Sequence, residues 1–135
     1  VTAPRGSVRR HVRINCPADE AWSLLGDPER LPEWWPGIVS AEVDGSSRVV
    51  TTGAGLPIPE AIVTNDPLER RFQYRITGPV VREHLSTLDV LDLDDGTCVA
   101  VYGADAVPAT MALVIAGAAG SALEKAKSML EGARS

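Results

Sequence analysis

The chain has 135 residues, 44 % of them hydrophobic and 23 % charged, with a formal net charge of −5. That is enough for one domain with a real core and no covalent staples. Lys and Arg are scattered, paired only briefly at Arg9-Arg10 and Arg70-Arg71, so no basic stripe offers itself to phosphates and no nucleic-acid partner is expected.

Residues 1–6 carry an arginine but no apolar run follows. They read as a loose N-terminal arm rather than a signal peptide, ahead of a single domain over 7–135. "SVRRHVRIN" (7–15) alternates, with Val8, Val12 and Ile14 on one face and Arg9, His11 and Arg13 on the other, as a half-buried strand does. Pro17 opens a helix, "PADEAWSLLGD", with Asp19 and Glu20 in its first turn and Gly26 at its end. "DPERLPEWW" predicts a second short helix, with Asp27 as N-cap and Pro28 at its first position, closed by Pro36-Gly37. Cys16 and Cys98 have neither metal spacing nor a CxxC partner. A buried, reduced pair in a cytoplasmic protein is the expectation.

From Ile38 the period changes to two. "IVSAEVD" (38–44) and "SRVVTTG" (47–53) flank Gly45-Ser46 as a hairpin; "IPEAIVTND" (58–66) and "RRFQYRI" (70–76) follow. "VREHLSTLDVLDLD" (81–94) and "TCVAVYGADAV" (97–107) form a long hairpin across Asp95-Gly96. Aligned from that turn, His84, Ser86, Leu88 and Val90 face Val99, Val101, Gly103 and Asp105. Pro108 begins a C-terminal helix to about Ala133. The order predicts an α+β fold: a curved antiparallel seven-stranded sheet, two short helices between strands 1 and 2, and one long helix covering the sheet.

That last helix carries no charge from Ala106 to Leu123. The stretch is barely long enough for a membrane span and contains Pro108, so no integral membrane segment is expected. On a helical wheel Met111, Val114, Ile115, Ala118, Ala119, Ala122, Ala126, Met129, Leu130 and Ala133 share one face. Leu113, Ala116, Gly117 and Gly120 lie on the outer side of the apolar half. Such an outer patch is expected to be covered by a second copy of the chain, as a homodimer seam, by the loop between strands 3 and 4, or by a membrane surface.

The element order, "AWSLLGDPERLPEWWPGI", "NDPLERRFQYRI" and "LDLDDGTCVAVYGAD" together resemble the START-like, or helix-grip, superfamily, and within it the polyketide cyclase/dehydrase and lipid transport branch. The resemblance covers about residues 7–133. It implies a curved sheet gripping the C-terminal helix with an apolar cavity between, but it does not choose a function. The alanines of the inward helix face then read either as close packing or as the roof of a cavity for a small hydrophobic ligand such as a lipid, isoprenoid or polyketide.

Alternation nominates the groups around that cavity: Glu60, Phe72, Tyr74, His84, Val101, Met111, Ile115, Ala118 and Ala122, with Trp35 of the Trp34-Trp35 pair at the entrance. His84 beside Asp105 is a candidate general base, and Tyr74 a donor to a developing enolate. The competing reading makes His84 a hydrogen-bonded interior histidine and Asp105 a complement to the helix N-terminus. Only His11 and His84 are present as histidines, and no GxSxG, P-loop or Rossmann glycine pattern occurs. Neither a metal nor a cofactor is expected. Three functions follow: a carrier or sensor of an apolar molecule, an aromatase/cyclase or dehydratase, and a partner-binding protein with a collapsed cavity.

Overall fold

The computed structural model describes residues 4–132. Its elements are β1 (Gly6–Ile14), α1 (Ala18–Leu25), α2 (Leu31–Trp34), β2 (Ile38–Asp44), β3 (Ser47–Thr52), β4 (Pro57–Asp66), β5 (Arg71–Ile76), β6 (Glu83–Asp92), β7 (Cys98–Val107) and α3 (Ala109–Gly132). The sheet order is β1-β7-β6-β5-β4-β3-β2, and each neighbouring pair is antiparallel. The architecture is the predicted α+β one. Register shifts at Ile38/Ser40 and Ile62/Thr64 bend β2 and β4, since an extra residue on one strand kinks it and increases twist. The sheet therefore curls, and α3 lies against it at the β1–β7 end.

Several local expectations change. Residues 4–6 are not a loose arm: Pro4 accepts a hydrogen bond from the Ala109 N–H at 2.9 Å, Arg5 pairs with Asp105 at 3.6 Å, and Gly6 begins β1. Residues 1–3 of the expected arm, and Ala133 of the expected helix, lie outside the described residues. Asp27 does not cap α2. Its carboxylate accepts from the Glu29 N–H at 3.0 Å, closing a turn, and the helix starts only at Leu31. Gly26 ends α1 in right-handed rather than left-handed backbone. A Cβ there would sit 2.4 Å from the Trp22 ring, so glycine is required by close approach.

The β6–β7 hairpin is one residue out of the predicted register. Ser86 pairs with Ala104, Leu88 with Tyr102 and Val90 with Ala100. Three residues, Asp94, Asp95 and Gly96, separate Leu93 from Thr97, whose carbonyl accepts the Leu93 N–H at 3.1 Å; Asp94 and Gly96 are left-handed. A two-residue turn at Asp95-Gly96 would have given the other pairing. A one-residue slip turns a whole strand over. Cys98, Ala100, Tyr102, Ala104 and Ala106 are thus buried, while Val101 and Asp105 point to the opposite, outer face. Neither cysteine forms a disulfide and both are buried; burial beside Cys16 pushes the Cys98 thiol up to about 12.

The buried face of α3 is also rotated from the predicted wheel. Ala112, Ala116, Ala119, Ala122, Leu123 and Ala126 are sealed against the sheet and the first helix. These alanines serve close helix–sheet packing. Gly6 completes it: a Cβ there would lie 2.8 Å from the Ala109 carbonyl oxygen and 2.9 Å from the Ala112 Cβ. Ala116 is therefore not part of an outer seam, and Gly120 sits beneath the stem of Arg10. Leu113 and Gly117 alone of the four remain on the open side. Among the described residues no helix is long and apolar enough to cross a membrane.

The glycines yield opposite predictions. Gly117→Ala meets open space and Gly120→Ala only ordinary contact with Arg10, so each should stabilise α3 by about 1 kcal/mol through helix propensity and raise Tm by roughly 2–8 °C. Gly6→Ala forces backbone apart and should cost about 1–3 kcal/mol. Calorimetric melting of the three variants checks both signs.

Candidate functional site

The site starts from two strand positions. Arg48 on β3 and Glu60 on β4 are cross-strand partners, and the curl of the sheet turns both onto the concave side. Both are almost entirely withdrawn from solvent, at 3 % and 6 % exposure. Arg48 Nε and Nη2 both lie 2.7 Å from Glu60 Oε1, and Nη1 donates to the Pro28 carbonyl at 3.2 Å. The guanidinium stacks 5.2 Å from the Phe72 ring centroid and 5.0 Å from that of Tyr74. Burial pushes the Glu60 carboxyl above its usual range, with Arg48 pulling against it.

Beside the pair lies a cavity of about 210 Å³. The helix contributes Met111, Val114, Ile115 and Ala118 to its wall; Trp35 and Ile38 close the side nearest α2; Glu60 and Tyr74 supply side-chain oxygens. Of the nominated ligand-contacting residues, Trp35, Glu60, Tyr74, Met111, Ile115 and Ala118 line this cavity. The others lie elsewhere. Phe72 lines a separate void of about 10 Å³ among Trp34, Trp35, Tyr74 and Tyr102, room for about one water molecule. Ala122 is in the packed core, Val101 is on the outer face, and His84 and Asp105 both line a separate groove where β5 and β6 part. Of the two adjacent tryptophans, Trp35 faces the cavity. Trp34 is 2 % exposed, and its indole N–H is the one fully buried side-chain polar atom without a partner among the described residues.

His84 is held at both ring nitrogens. Nδ1 accepts the Ile76 N–H at 2.9 Å, so Nε2 carries the proton and donates to Ser86 Oγ at 2.7 Å. β5–β6 pairing stops at Tyr74–Ser86, and the imidazole bridges the strands where they separate. Ser86 is in turn hydrogen-bonded to Tyr74 and Tyr102, whose hydroxyls bond to each other. Burial, then the charge of Glu60, raises the Tyr74 phenol to about 12. Of the candidate triad, His84 and Tyr74 share one hydrogen-bond network through Ser86, while Asp105 pairs with Arg5 and borders the same groove as His84, whose two ring nitrogens are bonded to other groups. Arg48, Ser86 and Tyr102 were not nominated. Arg48 shares a strand face with Val50, which was the available signal. Tyr102 was hidden by the hairpin slip.

A curled seven-stranded sheet gripping a C-terminal helix over an apolar cavity defines a helix-grip protein. The chain belongs to the polyketide cyclase / dehydrase and lipid transport family, whose model matches residues 5–131. No curated protein matches the sequence. Its fold is similar to that of XoxI from Bacillus cereus, with a TM-score of 0.88 at 20 % identity over 96 % of this chain and 99 % of that one. It is similar to a START superfamily protein from Mycobacterium smegmatis, with a TM-score of 0.70 at 18 % identity over 93 % and 94 % of the two chains. It also resembles norcoclaurine synthase from Thalictrum flavum, solved with dopamine and hydroxybenzaldehyde, with a TM-score of 0.74 at 16 % identity over 99 % and 90 %.

The histidine staple predicts a pH dependence. Burial lowers the His84 imidazole to about 4, with the charge of Asp105 acting in the opposite direction, against about 6.5 in an unfolded chain. Between those values the unfolded chain binds more protons, so the stability His84 provides is lost as pH falls through that window, up to about 3 kcal/mol. Urea unfolding at pH 7 and pH 4.5 should show His84→Gln clearly less stable than wild type at pH 7, with the gap narrowing at pH 4.5. An unchanged gap would contradict the assignment.

Proposed function

We propose that this protein binds a small apolar molecule between its sheet and its C-terminal helix. The observation that carries this reading is the cavity of about 210 Å³, walled mostly by hydrocarbon and open to solvent beside the exposed Val114. An engineered apolar cavity of about 150 Å³ takes benzene, so this one suits a larger ligand, on the order of a substituted bicyclic ring. Small aromatic ligands in norcoclaurine synthase are consistent with this size class, and the family description spans both transport and cyclisation.

A second reading, acid–base catalysis on such a ligand, is favoured by one feature: a buried carboxyl, Glu60, on the cavity wall with its protonation equilibrium shifted upward. His84 supports it poorly, because its one lone pair is already bonded to backbone.

The test uses N-phenyl-1-naphthylamine, a neutral dye that brightens in apolar surroundings. The wild type should enhance its emission saturably. Ala118 lines the cavity yet is exposed, so Ala118→Trp should obstruct the entrance without disturbing the core. It should weaken binding at least about tenfold, or 1.4 kcal/mol, at unchanged Tm. Equal binding by wild type and variant would place the dye elsewhere.

A further inference from the structure

The pairing of Arg48 with Glu60 is lopsided. Both nitrogens that reach the carboxylate use the same oxygen, Oε1. Oε2 takes no hydrogen bond among the described residues, and it is not sealed in protein, since Trp34 Nε1 is the one fully enclosed atom left without a partner there. The residue is more than nine-tenths buried, and the space its side chain borders is the cavity. The other side-chain oxygen on that wall, the Tyr74 hydroxyl, is occupied by Tyr102 and Ser86.

We infer that Glu60 Oε2 is the cavity's recognition point, selecting apolar ring-sized ligands that carry one hydrogen-bond donor, a hydroxyl or an ammonium, and rejecting carboxylates. The inference deepens the binding reading and rests on it. Its physical basis is that an acceptor in an apolar pocket is costly to leave unmatched, and a bond to a charged group is stronger than a neutral one. A ligand with a donor head satisfies Oε2 while its rings lie among Ile115, Met111 and Ile58. A ligand with an acceptor head leaves Oε2 bare and sets lone pair against lone pair. A carboxylate adds like-charge repulsion where solvent screens little. Arg48 does not reverse this preference, because its reaching nitrogens are committed to Oε1 and Pro28.

Four probes of one ring system separate these effects: 2-naphthol, 2-naphthylmethylamine, 2-methoxynaphthalene and 2-naphthoate. Each is titrated against wild type by calorimetry at pH 7, with N-phenyl-1-naphthylamine displacement reporting that they share the cavity. The naphthol and the ammonium should bind roughly 10- to 100-fold more tightly than the methyl ether, and the naphthoate should bind most weakly. Glu60→Gln should bring the ammonium and the ether to within about threefold of each other, given that a neutral amide loses the charge-assisted part of the bond. If that variant does not fold, the wild-type series alone decides. Equal affinity for naphthol and ether overturns the role of Oε2 while leaving the binding cavity standing. Tightest binding by naphthoate also overturns it and makes Arg48 the recognition group. Failure of all four to bind or displace the dye removes the cavity reading and this inference with it.

Discussion

A guanidinium and a carboxylate locked together out of water, Arg48 on Glu60, are what the concave side of this fold is arranged around. Taking two charges from water costs several kcal/mol for each ion, repaid only by good geometry and further bonds. Here the return comes from the two short contacts to Oε1, the Pro28 carbonyl and the aromatic faces of Phe72 and Tyr74. The Pro28 bond ties the turn before α2 to β3. That tie holds α2 over the sheet, and α2 delivers Trp34 to the core and Trp35 to the cavity wall. Losing either partner would strand the other charge, at about 3–5 kcal/mol.

The long helix divides its surface between two tasks. Its alanines let the β1–β7 end of the sheet come close, with Gly6 opposite Ala109 and Ala112. A quarter-turn away, Met111, Val114, Ile115 and Ala118 face a region where the sheet has curled away. Space remains there because the helix is drawn to one end of the sheet, not because its face is small. At the other end of α3, Lys127 donates to the Arg13 carbonyl, and Glu131 accepts from both Lys127 and the Asn15 N–H. The helix is thus anchored to β1 at both ends, and its cavity-facing side carries none of these bonds.

The order and type of elements were legible because period-two alternation and turn residues act locally. Glu60 and Tyr74 were placed on the cavity side for the same reason. What failed was decided by single residues of register. An extra residue in the Leu93–Thr97 connection reversed β7, hiding Tyr102 and misplacing Val101 and Asp105. On α3 the wheel gave one apolar stripe where the fold uses two adjacent ones, and alanine on every side offers no amplitude to fix the phase. Arg48 was overlooked because a lone arginine in a strand ordinarily faces solvent. Its burial follows from having Glu60 directly across, a pairing that appears only once β3 and β4 are in register. His84 drew attention as chemistry, but its position at the β5–β6 fork gives it a structural bond at each nitrogen.

The central claim is that the apolar wall of α3 and the carboxylate of Glu60 bound one ligand site. Methyl-selective NMR of the protein with 2-naphthol tests it most directly. Intermolecular NOEs from the ring protons to Met111, Ile115 and Ile58 methyls, with no shift at Val101, are the predicted result. NOEs confined to Val81, Leu85 or Val107, which line the groove at the β5–β6 fork, would contradict it.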